Sequence, residues 1–154
     1  LFKLDMGYPK VEEEEDIIDQ NITIHKFEEF DLKKILSPEK VIFLQGKTKQ
    51  INSSPQIKKY IVRLVDCTRN PKDYGIKLGR YIEYGGSPRA SISLSIAAKA
   101  DAVIRGQEFI TPQNIKNVAH DVLRHRILLN YEGQAENIKT DKIIDEILSK
   151  VKVP

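Results

Sequence analysis

Gly85-Gly86-Ser87-Pro88-Arg89 is the stretch of this 154-residue chain whose residue types and order best fit a chemical site. Glycines lack a Cβ, so their backbone can come close to a ligand. Serine followed by proline reads as a helix start, with the hydroxyl at the cap and the proline at the first helical position. The free N–H groups of such a start attract anions. Arg89 then falls in the first turn, where its charge opposes the helix dipole, a placement that stability alone does not favour. Its planar guanidinium matches phosphate oxygens. Gly85, Gly86, Ser87 and Arg89 therefore read either as a phosphate contact or as an ordinary capped helix, and residue types alone leave both open.

The other candidates read more simply as structure. Gly46-Lys47-Thr48 looks like the end of a phosphate loop, but Val41 stands where a glycine is needed, and the segment lies inside a helical pattern. It reads as a helix-end glycine beside a solvated lysine. His120, Asp121 and His125 do not converge on a metal, because a spacing of five separates the two imidazoles around a helix. His25 does not join them, and no metal site is expected. The single cysteine, Cys67, excludes an internal disulfide and reads as a buried structural thiol. Glu12–Glu15 point in successive directions around a helix and read as a solvated face. Arg124-His125-Arg126 is a concentrated basic spot. It reads as cations at the negative end of a helix, or as a subunit or phosphate contact. In the first case, replacing either arginine with glutamine costs well under about 1 kcal/mol.

The elements that must hold these residues share one kind of opening. Ser37-Pro38-Glu39, Ser54-Pro55-Gln56, Ser87-Pro88-Arg89 and Thr111-Pro112-Gln113 each place a hydroxyl before a first-turn proline, and Thr140-Asp141 adds a cap without proline. The spacing predicts helices over 11–20, 38–50, 55–69, 88–105, 112–124 and 141–150. Ile57, Tyr60, Ile61, Leu64 and Val65 make one apolar face. The helix from Pro88 is apolar nearly all round and is expected to be central and buried. Residues 20–31 read as extended or loop. Phe2, Leu4 and Met6 alternate with polar residues as a short strand that ends at Gly7-Tyr8-Pro9. The 17 residues from Asn70 to Gly86 form a connection long enough to imply a role of its own.

A hydrophobic content of 40% supports a core, and 31% charged residues support solubility. No apolar run is long enough to cross a membrane. With no signal-peptide pattern and one cysteine, a soluble cytoplasmic setting is expected. Residues 1–30 hold nine acids against three bases, whereas residues 31–154 hold 22 bases against 13 acids. Those bases are scattered, which favours a solvated lysine-rich surface over a nucleic-acid stripe. The chain begins with Leu and is expected to be part of something longer.

Gly85-Gly86-Ser87-Pro88-Arg89-Ala90-Ser91 is similar to the motif that opens the sensor-2 helix in the lid of MoxR-type AAA+ ATPases. The resemblance extends, in order, through Gly7-Tyr8-Pro9, Ser37-Pro38-Glu39, Tyr60-Ile61-Val62 and Arg105-Gly106 with Phe109-Ile110-Thr111-Pro112. It continues through Val122-Leu123-Arg124-His125-Arg126 to Val151-Lys152-Val153-Pro154. Gly86 departs from it, since the family more often has alanine there. The resemblance implies a mostly α fold: residues 1–9 as the last strand of an absent α/β core, and 10–154 as the helical lid. It also implies ATP and Mg²⁺ bound by the full-length protein, with Arg89 as its catalytic residue at the γ-phosphate, and rings that are usually hexameric. A chaperone-like task follows, often with a von Willebrand factor A-type partner. Walker loops, sensor 1 and the arginine finger would lie upstream, so the chain alone is expected to need no cofactor and to hydrolyse no ATP. A basic module binding nucleic acid and a protein-interaction domain without nucleotide are the alternatives.

Overall fold

The structure is a computed structural model and describes residues 1–19, 30 and 33–154. Contacts sort the chain into two units, residues 5–43 and residues 1–4 with 44–154, each taken by itself. In the first, α1 (Val11–Asp19) has glutamates in its opening turn and buries none of its residues. The Glu13 carboxylate accepts from the Lys10 amide at 2.8 Å. The expectation for 20–31 lies outside the described residues, except for Phe30, which sits in a bend. α2 (Pro38–Gln50) starts at Ser37-Pro38 as expected, although the Ser37 hydroxyl accepts from the Lys40 amide only at 3.4 Å.

The larger unit is built from α3 (Pro55–Arg69), α4 (Pro88–Ile104), α5 (Pro112–Leu123) and α7 (Thr140–Lys150). A short α6 (Tyr131–Ala135) and an antiparallel pair, β1 (Ile82–Tyr84) with β2 (Leu128–Leu129), complete it. The predicted apolar face of α3 is the face that is buried, with Tyr60, Leu64 and Val65 wholly inaccessible. Ile143, Ile144 and Ile147 of α7 and Ile115, Val122 and Leu123 of α5 close on the same core. Each such side chain contributes about 1.5–3 kcal/mol when fully buried. Two expected caps form fully. Ser54 accepts from the Ile57 amide at 3.2 Å, and Thr111 and Asn114 make a reciprocal capping box. The Thr140 cap does not form. Thr140 is the first residue of α7 itself, and Lys139 before it offers no side-chain cap.

α4 is central but not buried all round. Its inward stripe is small, with Ala90, Leu94, Ala97, Ala98 and Ala102, and this lets α5 lie close against it. The larger Ile92 and Ile96 remain 60% and 48% exposed. With Val62 of α3 they floor an open groove of about 800 Å³. α4 ends one residue early because Gly106 takes a left-handed conformation (φ 67°). The Gly106 and Gln107 amides donate to Val103 and Ala102 carbonyls, closing the helix end.

Residues 70–86 are an ordered buckle of two 3-10 turns, Pro71–Tyr74 and Leu78–Tyr81, leading into β1. Glu146 of α7 accepts from the Lys77 and Leu78 amides at 2.8 and 2.9 Å, tying the buckle to the core. Tyr74 donates to Asp66 at 3.0 Å; that bond, with help from Arg69 and Asn70, holds the Asp66 carboxyl below its ordinary range. The strand expected over Phe2–Met6 is not formed. Residues 1–10 have no regular structure, and the Lys3 amide bonds instead to the Asp121 carbonyl at 2.8 Å. A lone strand has no ladder to join among the described residues.

At the basic spot, Arg124 has a use that neither reading named. Its guanidinium donates to Asp141 at 2.9 and 3.2 Å, to Asp121 at 3.0 Å and to the Lys3 carbonyl at 2.6 Å. It therefore joins the end of α5 to the start of α7 and to the N-terminal segment. Arg124→Gln is expected to cost about 1–2 kcal/mol in urea denaturation, since bonds to charged groups carry more than ordinary ones. A loss below about 0.5 kcal/mol would show that this clamp carries little.

Cys67 is fully buried, and burial, with Asp66 and Glu146 adding to it, pushes its thiol up to about 12. At pH 8 only about one molecule in ten thousand carries the thiolate. Iodoacetamide should therefore leave the native protein unlabelled at that pH and label it promptly in denaturant. Because the unfolded thiol ionises near about 8.5, this residue's share of stability is intact below that pH and declines as pH rises toward 12.

Candidate functional site

α3 and α4 meet at a joint made almost wholly of backbone. A Cβ on Gly85 would lie 2.4 Å from the Thr68 carbonyl oxygen and 2.8 Å from the Arg69 nitrogen, so no other residue fits. Gly86 is buried, and its amide donates to Thr68 Oγ1 at 2.8 Å. That hydroxyl donates in turn to the Val65 carbonyl at 2.6 Å. The close approach that these glycines allow is thus made to the last turn of α3. An alanine at position 86 would put its Cβ 3.0 Å from Ala90 Cβ and 3.3 Å from Val65 Cγ1. Glycine relieves that contact.

Ser87 is exposed and its hydroxyl makes no cap bond; its carbonyl accepts from the Ala90 amide at 2.8 Å instead. Arg89 is exposed in the first turn of α4. Among the described residues, its guanidinium has no hydrogen bond or ion pair. It can therefore form a fork with an incoming anion without first breaking a bond.

Arg124, Arg126 and His120 are already engaged, and His25 lies outside the described residues. Arg126 donates to the Val122 carbonyl at 2.9 Å and to Ser93 Oγ at 3.2 Å. With Arg124 in its clamp, both arginines of the basic spot are held by bonds within the chain. His120 pairs with Asp145 at 2.9 Å, while burial and the neighbouring Arg126 charge lower the pKa of His125. No group of three or more metal-ligating side chains occurs among the described residues. Gly46 lies inside α2 rather than at its end, and Thr48 Oγ1 donates back to the Leu44 carbonyl at 2.8 Å, so no phosphate loop forms.

The AAA lid domain family model matches residues 79–147, from the second 3-10 turn into α7. The chain is 36% identical over its whole length to the protein YeaC of Bacillus subtilis (strain 168), covering 45% of that protein. It is 35% identical over its whole length to Chaperone MoxR1 of Mycobacterium tuberculosis, covering 40%. The crystal structure of a candidate ATPase from Cytophaga hutchinsonii superposes with a TM-score of 0.84 at 36% identity, over 99% of this chain and 46% of that one. The chain belongs to the lid region of the MoxR-type AAA+ ATPases. It spans less than half the length of these relatives.

Thr68 is the residue of this MoxR-type lid that sequence reasoning missed. A threonine near the end of an amphipathic helix carries no sign that its hydroxyl will hold an amide 18 residues on. Gly85→Ala should destabilise the lid by about 1–3 kcal/mol, because the added carbon meets backbone that cannot swing aside. Gly86→Ala, which meets only side chains, should cost less. Paired urea titrations check the order; equal small losses would contradict the joint as described.

Proposed function

We propose that this lid serves an ATP-hydrolysing MoxR-type machine, in which Arg89 engages the phosphate end of ATP at a cleft between the lid and an ATPase core. One observation carries the proposal: an exposed, unpartnered guanidinium rises from a helix whose start is held by a buried joint. That donor fits a phosphate, because a free fork matches its oxygens and loses no internal partner on binding. ATP, bound with Mg²⁺ by the full-length protein, supplies the phosphoanhydride whose cleavage drives the machine. Arg89 binds and orients the terminal phosphoryl group, and its fixed charge opposes the negative charge that grows there during transfer.

The joint fixes the backbone that carries Arg89, so the root of this side chain moves with the lid. Lid motion would thereby couple nucleotide state to the shape of a ring of such subunits, a hexamer in the usual family arrangement. The Mycobacterium tuberculosis relative is named a chaperone, which supports a chaperone-like remodelling task, with a von Willebrand factor A-type protein as a candidate partner. The cytoplasm is the proposed setting. Among the described residues, no helix is long and apolar enough to cross a membrane.

In the full-length protein, Arg89→Ala should lower single-turnover ATP hydrolysis by about 10²–10³-fold, the usual cost of removing one preorganised donor. Its stability should change by less than about 0.5 kcal/mol, because an exposed unpartnered side chain is removed. Arg89→Lys should recover only part of the rate. Wild-type turnover in the alanine variant would remove Arg89 from the site. The purified 154-residue chain should hydrolyse no ATP, and magnesium-dependent turnover by it would contradict the proposal.

A further inference from the structure

Thr68 stands where the position of Arg89 is decided. Its side chain is fully buried, 21 residues before an arginine it does not touch. Among the described residues, it is the one whose side chain bonds the backbone between β1 and α4, through the 2.8 Å bond from the Gly86 amide. Its own proton is committed to the Val65 carbonyl at 2.6 Å, so the oxygen lone pairs face the amide. Gly85 seats against the Thr68 carbonyl too tightly for any Cβ. Backbone and side chain of one residue thus set both the height and the direction at which α4 begins. Arg89 lies three residues beyond Gly86, within the first helical turn, so its exit from the surface follows that direction.

We propose that Thr68 is a positioning residue for Arg89, acting through the Gly86 amide and not on nucleotide. The proposal rests on the Arg89 reading above. Catalytic donors tolerate little displacement, and a misplacement of about 1 Å can cost on the order of 10²-fold in rate. Valine has nearly the shape of threonine but cannot accept from the Gly86 amide, so Thr68→Val leaves that buried N–H unpaired and releases the start of α4. Serine keeps the oxygen.

The experiment measures single-turnover hydrolysis at saturating ATP, together with KM, in the full-length protein. It compares Thr68→Val, Thr68→Ser, Arg89→Ala and the Thr68→Val/Arg89→Ala double variant. All are assayed at a temperature where circular dichroism shows each to be folded. Thr68→Val should lose about tenfold or more in rate, with Thr68→Ser recovering most of it. The double variant should match Arg89→Ala, because misplacing an absent arginine has no further effect. Gly85→Ala, which forces the same joint apart by contact with the Thr68 carbonyl, should repeat the loss and the non-additivity, and so serves if the valine variant does not fold.

A wild-type rate in Thr68→Val beside a slow Arg89→Ala overturns the Thr68 assignment alone. So does a double variant well below Arg89→Ala, which would mark a general structural role. A wild-type rate in Arg89→Ala overturns the Arg89 reading and takes the Thr68 assignment with it.

Discussion

Where any other residue would carry a Cβ, Gly85 carries a hydrogen, and the whole turn from α3 into α4 depends on that difference. The gap between its backbone and the Thr68 carbonyl leaves no room for a side chain. With the chain seated there, α4 lies along α3, its alanine stripe receives α5, and the core closes on α7. The buckle that returns the chain to this point is held in turn by Glu146 of α7 through the Lys77 and Leu78 amides. The joint is therefore tied to the core from both sides. The backbone that carries Arg89 inherits that rigidity, whereas its guanidinium, exposed and without a partner among the described residues, is left free to meet an anion.

The helices were legible because hydroxyl–proline pairs announce their starts and α3 carries its apolar residues at helical spacing. The start of α7 was misplaced because a Thr-Asp pair without proline does not fix which residue is the cap. The burial of α4 was misread for a different reason. Composition counts apolar residues without their size: the inward face uses alanine to admit α5, while Ile92 and Ile96 are left outside. A strand over Phe2–Met6 was read from alternation with no partner near it in the sequence, and no ladder forms there among the described residues.

The candidate site was legible in its cation and less so in its glycines. Arg89 stood out because its place opposes the helix dipole, and it is the arginine left without a partner. Gly85 and Gly86 were read either as room for a ligand or as part of an ordinary capped start, and the structure shows the close approach they make to α3. Both uses leave the same mark in a sequence, since each requires only a missing side chain. The basic spot at Arg124 and Arg126 could not be resolved from sequence, because the partners of Arg124 lie in α7, in α5 and at residue 3. A clamp drawn from such distant positions has no spacing to read.

The most direct test of Arg89 as the phosphate-engaging residue is a structure of the full-length protein with Mg²⁺ and ADP–beryllium fluoride, which mimics ATP. The guanidinium of Arg89 should lie about 2.7–2.9 Å from a fluoride or phosphate oxygen, with the Gly86 amide still on Thr68 Oγ1. A guanidinium turned to solvent or paired with a carboxylate, while other groups hold the terminal phosphate mimic, would contradict that role.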